Sequence, residues 1–255
     1  MEQAFRFHDP AGHSVAAILS TPSQATDRLA VLCHGFLSNK NSSTNKALTR
    51  LLNDQGIATL RFDFFGQGES EGPFEGITVD LALGQVLAAL DVARSKGYRR
   101  LGLIGSSFGG LVSILAASKR PDVSALGLKC PVADFPEVLR LEFGQAGMDR
   151  WRQRNEIPDV TGGTRPVRLP FAFYENCLGY DAYKAAGTIT VPVLIVQGDC
   201  DDLVPLHQSR RLWEAVAVEK DLKILNGADH GFTKADDFRT MTTVLVEWMI
   251  NHLGK

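Results

Sequence analysis

Glycine, serine and glycine at positions 105, 107 and 109 have the spacing of a turn that exposes a nucleophile. The apolar run Leu101–Ile104 before them is typical of a buried strand, and Phe108–Lys119 after them is typical of a helix. In a G-x-S-x-G turn the central residue takes a strained conformation, which glycines on either side allow. We therefore expect the Ser107 hydroxyl to stand exposed at the carboxyl edge of a sheet, ready to attack a carbonyl carbon.

A serine nucleophile needs a base, because its hydroxyl is weakly reactive at neutral pH, and the base needs a carboxylate to orient it. In sheets of this kind the partners follow the serine in the chain order acid, then histidine. Of the six histidines, only His230 follows Ser107 in a glycine-flanked loop behind a late strand. We predict that His230 is the base.

The acid is expected in the loop 198–205, which a buried strand delivers to the same edge of the sheet. The loop holds three aspartates, and the spacing from the Val-Pro pair at its end favours Asp201 over Asp202. Asp199 and Asp202 would instead cap a helix or bond within the loop. Asp134, just behind another predicted strand, is a further alternative for the acid.

An oxyanion formed by attack on a carbonyl needs hydrogen-bond donors that are fixed in advance. One donor should be the backbone N–H of Phe108, the residue after the serine. The other should be the N–H of Phe36, in the sequence His-Gly-Phe at 34–36 behind an apolar strand. These two amides are the predicted oxyanion hole.

The elements that must position these residues alternate between strand-like and helix-like, which predicts an α/β fold with a mostly parallel sheet covered on both faces. Eight strands are expected, the first two as an antiparallel pair: Ala4–His8, Ser14–Ser20, Leu29–Cys33, Ile57–Phe62, Leu101–Ile104, Val123–Lys129, Val193–Val196 and Leu222–Leu225. The predicted helices are Ser43–Asn53, Val79–Ser95, Phe108–Lys119, Leu206–Val216 and Asp236–His252.

The alternation breaks over residues 131–187, where eight aromatic residues lie between two predicted strands. We interpret this segment as a cap insertion over the catalytic edge, with a peripheral subdomain as the alternative. Its aromatic residues could contact an apolar or aryl part of the substrate. The candidate substrate-binding residues are Phe135, Trp151, Phe171 and Tyr174.

The composition is that of one soluble globular domain over residues 1–255, with 44% hydrophobic and 22% charged residues. A net charge of −2 gives no reason to expect nucleic acid or an anionic membrane as a partner. No apolar run is long enough to span a membrane, and the N-terminus lacks the regions of a signal peptide. These features predict a cytoplasmic protein.

No metal or cofactor is expected. The four cysteines lack C-x-x-C spacing, which argues against a zinc site. The segment 63–70 has two glycines but lacks the third glycine of a dinucleotide fingerprint, and no P-loop lysine follows it. We interpret it as a structural loop.

Together these residues resemble the α/β-hydrolase fold superfamily, and the match runs along almost the whole chain. The motifs are H-G-F at 34–36, D-x-x-G-x-G-x-S at 63–70, G-x-S-x-G at 105–109, G-x-x-D-x-x-V-P at 198–205 and D-H-G-F at 229–232. Within the superfamily the chain looks most like the cinnamoyl or feruloyl esterase group and its serine-aminopeptidase-like relatives. It departs from that group's frequent G-H-S-Q-G at two positions, where Ser106 and Phe108 stand.

The residues and the resemblance together imply a serine-dependent carboxylic ester hydrolase that acts on small esters with aryl or apolar groups. Ser107 would be the nucleophile, His230 the base and Asp201 the acid. Cleavage of an amide, peptide or thioester, and acyl transfer, are alternatives with the same three residues. A non-catalytic binding protein on this scaffold is another alternative. A homodimer through exposed aromatic residues of the insertion is also left open.

Overall fold

Ten strands are found in the computed structural model, which describes residues 1–158 and 166–254. They are β1 (Glu2–His8), β2 (Ser14–Ser20), β3 (Arg28–Cys33), β4 (Ala58–Phe62), β5 (Arg100–Ser106), β6 (Val123–Lys129), β7 (Glu156–Ile157), β8 (Val167–Arg168), β9 (Val193–Gly198) and β10 (Lys220–Leu225). All eight predicted strands are present. The short pair β7 and β8 lies inside the segment 131–187, for which no strand was predicted.

Eight strands form one sheet in the order β1-β2-β4-β3-β5-β6-β9-β10. Strand β2 is antiparallel to both neighbours, and every other adjacent pair runs parallel. The central strands are buried on both faces, which is why they read as continuous apolar runs in the sequence. The expected α/β-hydrolase fold with a mostly parallel eight-stranded sheet is confirmed.

Eight α-helices connect these strands within the described ranges. They are α1 (Ser43–Asp54), α2 (Val79–Ser95), α3 (Phe108–Ala117), α4 (Phe135–Arg154), α5 (Ala172–Cys177), α6 (Ala182–Ala186), α7 (Leu206–Ala215) and α8 (Ala235–Leu253). Helices α1 and α8 pack their apolar residues on one face of the sheet, and α2 and α3 pack on the other. The hydroxyl of Ser42 caps α1 and that of Thr78 caps α2, each accepting a hydrogen bond from a backbone N–H of the first turn.

The carboxyl ends of β3, β5, β6 and β9 meet at one edge of the sheet, because these four strands are adjacent and parallel. The loops that follow them therefore lie side by side, although they are far apart in the chain. In open sheets of this kind, ligands bind at this edge.

The segment between β6 and β9 contains α4, the β7–β8 pair, α5 and α6. Helix α4 is interrupted at Gly144, which has φ 58° and ψ 176° and so divides it into two helical pieces. Residues 159–165 of the predicted insertion 131–187 lie outside the described residues. That this insertion acts as a cap stays a prediction.

Across the described ranges, no helix combines the length and the apolar character that crossing a bilayer requires.

Candidate active site

Ser107 occupies a strained turn between β5 and α3. Its backbone has φ 54° and ψ −116°, in the positive-φ half of the map that non-glycine residues rarely enter. The turn is held from both sides, since Ser107 N–H donates to the carbonyl oxygen of Lys129 at 3.0 Å and Ser107 C=O accepts from Gly110 N–H at 2.8 Å. The conformation is the one that the G-x-S-x-G spacing predicts.

The two glycines of this turn allow backbone segments to approach more closely than a side chain would permit. A Cβ atom at Gly105 would lie 2.4 Å from the carbonyl oxygen of Gly109. A Cβ atom at Gly109 would lie 2.4 Å from the carbonyl oxygens of Cys33 and His34. Helix α3 can therefore begin directly against the end of β3, which brings Ser107 beside the loop 34–36.

His230 and Asp201 form a hydrogen-bonded pair at the same edge. Nδ1 of His230 lies 2.8 Å from Oδ2 and 3.0 Å from Oδ1 of Asp201. The Asp201 side chain is 1% exposed and that of His230 is 14% exposed. Because a carboxylate accepts and does not donate, the neutral imidazole carries its proton on Nδ1 and leaves the Nε2 lone pair available as a base.

Several groups stabilise the negative charge of Asp201. Burial alone would raise the pKa of Asp201, but the hydrogen bond and charge of His230, the Val204 N–H and the Cys130 thiol outweigh it, so the pKa lies below its usual value. Further bonds come from Leu203 N–H at 3.0 Å and Gln197 Nε2 at 2.8 Å. Asp201 is therefore an ionised, immobilised carboxylate at neutral pH.

The other aspartates considered for the acid lie in different settings. The Asp199 carboxylate accepts from Gly227 N–H at 2.5 Å, and Asp202 is exposed. Asp134 caps α4 by accepting a hydrogen bond from Glu137 N–H at 2.8 Å. Only Asp201 among these four contacts the His230 ring.

Ser107 and His230 line one cavity of about 330 Å³ at this edge. In the part of the chain that the structure describes, the Ser107 hydroxyl makes no hydrogen bond. It can rotate about its Cα–Cβ bond, and hydrogen bonds of this type often tighten only when a substrate is bound.

The two amides predicted as oxyanion donors flank Ser107. Phe108 follows it as the first residue of α3, where helical N–H groups have no partner within the helix. The loop of Phe36 packs against the serine, since a Cβ atom on Gly35 would lie 3.4 Å from Ser107 Cβ. Across residues 1–158 and 166–254, neither the Phe36 nor the Phe108 N–H has a hydrogen-bond partner. Both N–H groups are thus without a protein partner in the described residues, as the predicted role of oxyanion donor requires.

His34 fixes the loop that carries Phe36. Nε2 of His34 accepts a hydrogen bond from Phe64 N–H at 3.1 Å, so Nδ1 holds the proton and donates to the carbonyl oxygen of Gly35 at 2.8 Å. Burial lowers the pKa of His34 to about 4, so the ring is neutral at pH 7. The sequence placed His34 in the motif but gave no role for its side chain.

The glycine-containing segment 63–70 is hydrogen-bonded to the loop that carries Phe36 and holds it in place. The Asp63 carboxylate accepts hydrogen bonds from Lys40 N–H at 2.6 Å, Lys40 Nζ at 2.5 Å and Glu69 N–H at 2.8 Å. Asp63 and Lys40 are both buried. These contacts agree with the interpretation of the segment as a structural loop.

The four aromatic residues predicted to bind substrate separate into two groups. Phe135 lines the cavity with Ser107. Trp151 is buried elsewhere, with Nε1 donating to Leu169 C=O at 2.6 Å and its ring 5.2 Å from that of Phe171. Phe171 and Tyr174 line a separate 120 Å³ depression. Because these three pack against each other and not around Ser107, we remove them from the candidate substrate site.

Most of the residues that line the cavity were not predicted from the sequence. Most of the lining contributed by α4 is apolar, and the polar lining consists of hydroxyl groups, one ammonium group and one carboxylate. The apolar lining includes Val132, Phe135, Val138, Leu139, Phe143, Ile157, Leu203 and Val204. The polar lining includes Ser38, Ser42, Ser43, Thr44, Ser106, Lys129 and, on α4, Glu142. One signal was present in the sequence, since Lys129 is a charged residue at the end of an apolar strand.

Cys130, Asp201 and His230 bring one sulfur, one oxygen and one nitrogen atom within 4.8 Å of one another, which is close enough for a metal site. Burial raises the pKa of the Cys130 thiol far above its usual value, so the sulfur stays protonated at neutral pH. A thiolate, and not a thiol, is the form that binds metals. In this cluster the Asp201 carboxylate bonds Nδ1 of His230, and the neutral Cys130 thiol lies beside that carboxylate.

Comparison with protein-family models gives a match to the alpha/beta hydrolase family over residues 30–239. A similar curated protein is the mitochondrial palmitoyl-protein thioesterase ABHD10 of Rattus norvegicus. It is 26% identical over 237 residues, which cover 86% of this chain and 76% of that protein.

Solved structures with the same fold include Est1E from Butyrivibrio proteoclasticus with bound ferulic acid. It has 28% identity and a TM-score of 0.87, with 99% of this chain and 100% of that chain covered. Mouse alpha/beta hydrolase domain-containing protein 10 has 22% identity and a TM-score of 0.82, with 98% and 99% covered. At that identity the second match concerns the fold alone.

Proposed function

This chain belongs to the alpha/beta hydrolase family and is a hydrolase, and on that premise we propose that it is a serine-dependent carboxylic ester hydrolase. The observation that carries the proposal is the combination of a strained Ser107 with the His230–Asp201 pair at one cavity. The strained turn places a hydroxyl at the cavity, and the pair supplies a histidine whose Nε2 lone pair can act as a base.

In the acylation step, Ser107 Oγ attacks the ester carbonyl carbon while Nε2 of His230 takes the hydroxyl proton. A bond forms between Oγ and the carbonyl carbon, and the carbonyl oxygen becomes an oxyanion. The N–H groups of Phe36 and Phe108 donate to that oxygen, and Asp201 stabilises the imidazolium. The C–O bond to the alcohol then breaks, and the alcohol leaves with the proton from His230.

In the deacylation step, a water molecule attacks the acyl-enzyme and gives its proton to Nε2 of His230. The bond between the carbonyl carbon and Ser107 Oγ breaks, and the serine recovers the proton. The carboxylic acid is released and the enzyme returns to its starting state. This chemistry uses only side chains and amides of the chain.

The cavity supports small esters with an aryl or apolar group. Phe135, Val138, Leu139 and Phe143 form an apolar wall beside Ser107. Est1E, a solved structure with bound ferulic acid, is 28% identical to this chain, which also favours an aryl group. We propose that residues 131–187 act as a cap, with α4 supplying this wall, and that the enzyme is cytoplasmic.

Thioester hydrolysis is the second candidate. The rat relative that is 26% identical over 86% of this chain carries the name palmitoyl-protein thioesterase. A thioester passes through the same acyl-enzyme, and the apolar wall of the cavity would accept an acyl chain. Amide or peptide cleavage and acyl transfer use the same residues without a specific observation in their favour.

Initial rates on three matched substrates test the proposal: 4-nitrophenyl butyrate, butyryl-CoA and the 4-nitroanilide of butyric acid. An ester hydrolase gives the highest kcat/KM with the first substrate. A higher kcat/KM with the second would favour the thioesterase instead. No turnover of any of them, together with tight binding of a small molecule, would favour a binding protein.

A further inference from the structure

Lys129 places an ammonium group inside the cavity that Ser107 and His230 line. It is the last residue of β6 and is only 7% exposed. Ser107 N–H bonds to its backbone oxygen, so the lysine sits next to the turn that carries the hydroxyl. A buried charge so close to the site is costly unless something compensates it.

In the described residues, no negatively charged group pairs with this ammonium group. Nζ of Lys129 donates to the carbonyl oxygen of His230 at 2.7 Å and lies 5.4 Å from the centre of the Phe232 ring. Within residues 1–158 and 166–254, no carboxylate oxygen lies within 4 Å of Nζ. Glu142 is the one acidic residue of the described cavity lining, and it is exposed on α4. An ammonium group has three donors, so two remain for a ligand.

The polar side of the cavity lies on the face of the sheet covered by α1 and α8. Lys129 is in register with Val196 of β9, whose side chain packs in the cluster under those helices. Side chains in register on parallel strands point to the same face, and the Phe232 contact agrees. Ser42, at the start of α1, lines the cavity on that face.

The start of α1 adds a second favourable feature for an anion. Its first turn contains no acidic residue, and Ser43 and Thr44 line the cavity there. The partial positive charge of a helix N-terminus favours a negative group nearby. Thus the part of the cavity lined by Lys129 and the start of α1 carries an ammonium group, a helix N-terminus and several hydroxyl groups.

We propose that Lys129 is a specificity-determining residue that binds a carboxylate carried by the substrate ester. This inference rests on the proposed ester hydrolysis and extends it. The substrate would place its apolar or aryl part against α4 and its carboxylate at Nζ of Lys129, with the scissile carbonyl between them at Ser107. The preferred substrates are then esters with one negative charge away from the reacting carbon.

Two matched pairs of esters test this inference. In the first pair, 4-(butanoyloxy)benzoate and 4-(butanoyloxy)benzamide, the charge lies on the alcohol part. In the second, the 4-nitrophenyl half ester of adipic acid and its terminal amide, the charge lies on the acyl part. The wild type should show a kcat/KM about 10-fold to 100-fold higher for the carboxylate in at least one pair, as expected for a charged hydrogen bond.

Lys129→Met should reduce that ratio to about 1, whereas Lys119→Met, which removes an exposed lysine just beyond α3, should keep it. Equal rates within both pairs in the wild type would overturn the inference while leaving ester hydrolysis intact. A loss in Lys129→Met that is equal for charged and neutral esters would also overturn it, because Lys129 would then act only by holding the His230 loop.

Binding without turnover makes the test independent of the reaction. In the Ser107→Ala background, calorimetry should give a Kd for the preferred carboxylate that is about 10-fold lower than that of its amide. Adding Lys129→Met should abolish the difference. Equal Kd values for acid and amide in Ser107→Ala would contradict the inference even if no ester were hydrolysed.

Discussion

Nδ1 of His230 contacts both carboxylate oxygens of Asp201, at 2.8 Å and 3.0 Å. The carboxylate is buried and also accepts hydrogen bonds from backbone N–H groups of its own loop. Its position is therefore fixed and does not change with the orientation of the imidazole ring. The pair therefore fixes which nitrogen of His230 faces the cavity. This relationship is what makes His230 a usable base in the proposed mechanism.

Asp201→Asn should lower kcat by about 10³-fold to 10⁴-fold, because the amide can donate to Nδ1 and stabilise the wrong tautomer. KM should change little, since Asp201 does not line the cavity. Asp202→Asn, at an exposed neighbouring position, is the matched control and should stay within twofold of the wild type. Equal losses in the two variants would contradict the role of Asp201.

Lys40→Met should destabilise the fold by about 3 kcal/mol, because it leaves the buried Asp63 carboxylate without its positive partner. The same change loosens the loop that carries Phe36, so kcat should fall along with the free energy of unfolding. Urea unfolding measures the first effect and ester turnover the second. Lys119→Met serves as a surface control, and a Lys40→Met variant as stable as this control would contradict the buried pairing.

The position of Ser107 could be predicted from local sequence, because a strand, two glycines and a helix determine the turn within a few residues. Asp201 could be chosen over its neighbours from its spacing to the Val-Pro pair at the end of the loop. Sequence motifs and chain order alone were therefore enough to predict Ser107, Asp201 and His230 as site residues. The hydrogen bonds of Asp201 then explain why that aspartate, and not Asp199, faces His230.

The cavity wall could not be predicted in the same way, because it depends on how α4 docks. The aromatic residue Trp151 reads as a ligand-binding candidate, yet its ring packs on Phe171. The residue type indicates that such a side chain is buried, but it does not indicate which residues pack against it. The interruption of α4 at Gly144 changes the direction of the helix beside the cavity, and no local rule gives that direction.

Gly109→Ala should destabilise the protein by about 3 kcal/mol or prevent folding, because its Cβ atom would lie 2.4 Å from two carbonyl oxygens at the end of β3. Gly187→Ala is the matched control, since a Cβ atom there finds ordinary contacts at 3.5 Å and φ is −64°. Thermal unfolding of both variants provides the comparison. A Gly109→Ala variant with the Tm of the control would contradict the close approach of α3 to β3.

His34 should make stability fall as the pH decreases. Its pKa is lowered from 6.5 to about 4 in the folded state by burial, so protons bind more tightly to the unfolded chain. The stabilisation is therefore complete above about pH 6.5 and is lost progressively as the pH falls toward 4. The loss from this residue amounts to about 3 kcal/mol.

Urea unfolding of the wild type and His34→Gln at several pH values measures this effect. The variant should be less stable at pH 7, because it loses the ring that bonds Phe64 N–H. Its stability should nevertheless change less than that of the wild type between about pH 6.5 and 4. Parallel curves for the two proteins over this range would show that His34 is not a buried neutral ring.

The most direct measurement of the central claim is labelling with a fluorophosphonate probe, followed by intact mass and peptide mapping. Attack by Ser107 Oγ on phosphorus displaces fluoride and leaves a stable adduct on that residue. We expect one adduct, on Ser107, in the wild type and in Ser118→Ala, which changes the serine that follows the last residue of α3 and donates to the Leu115 carbonyl oxygen. No adduct is expected in folded Ser107→Ala. An unlabelled wild type, or a folded Ser107→Ala that labels equally well, would contradict a serine hydrolase built on Ser107.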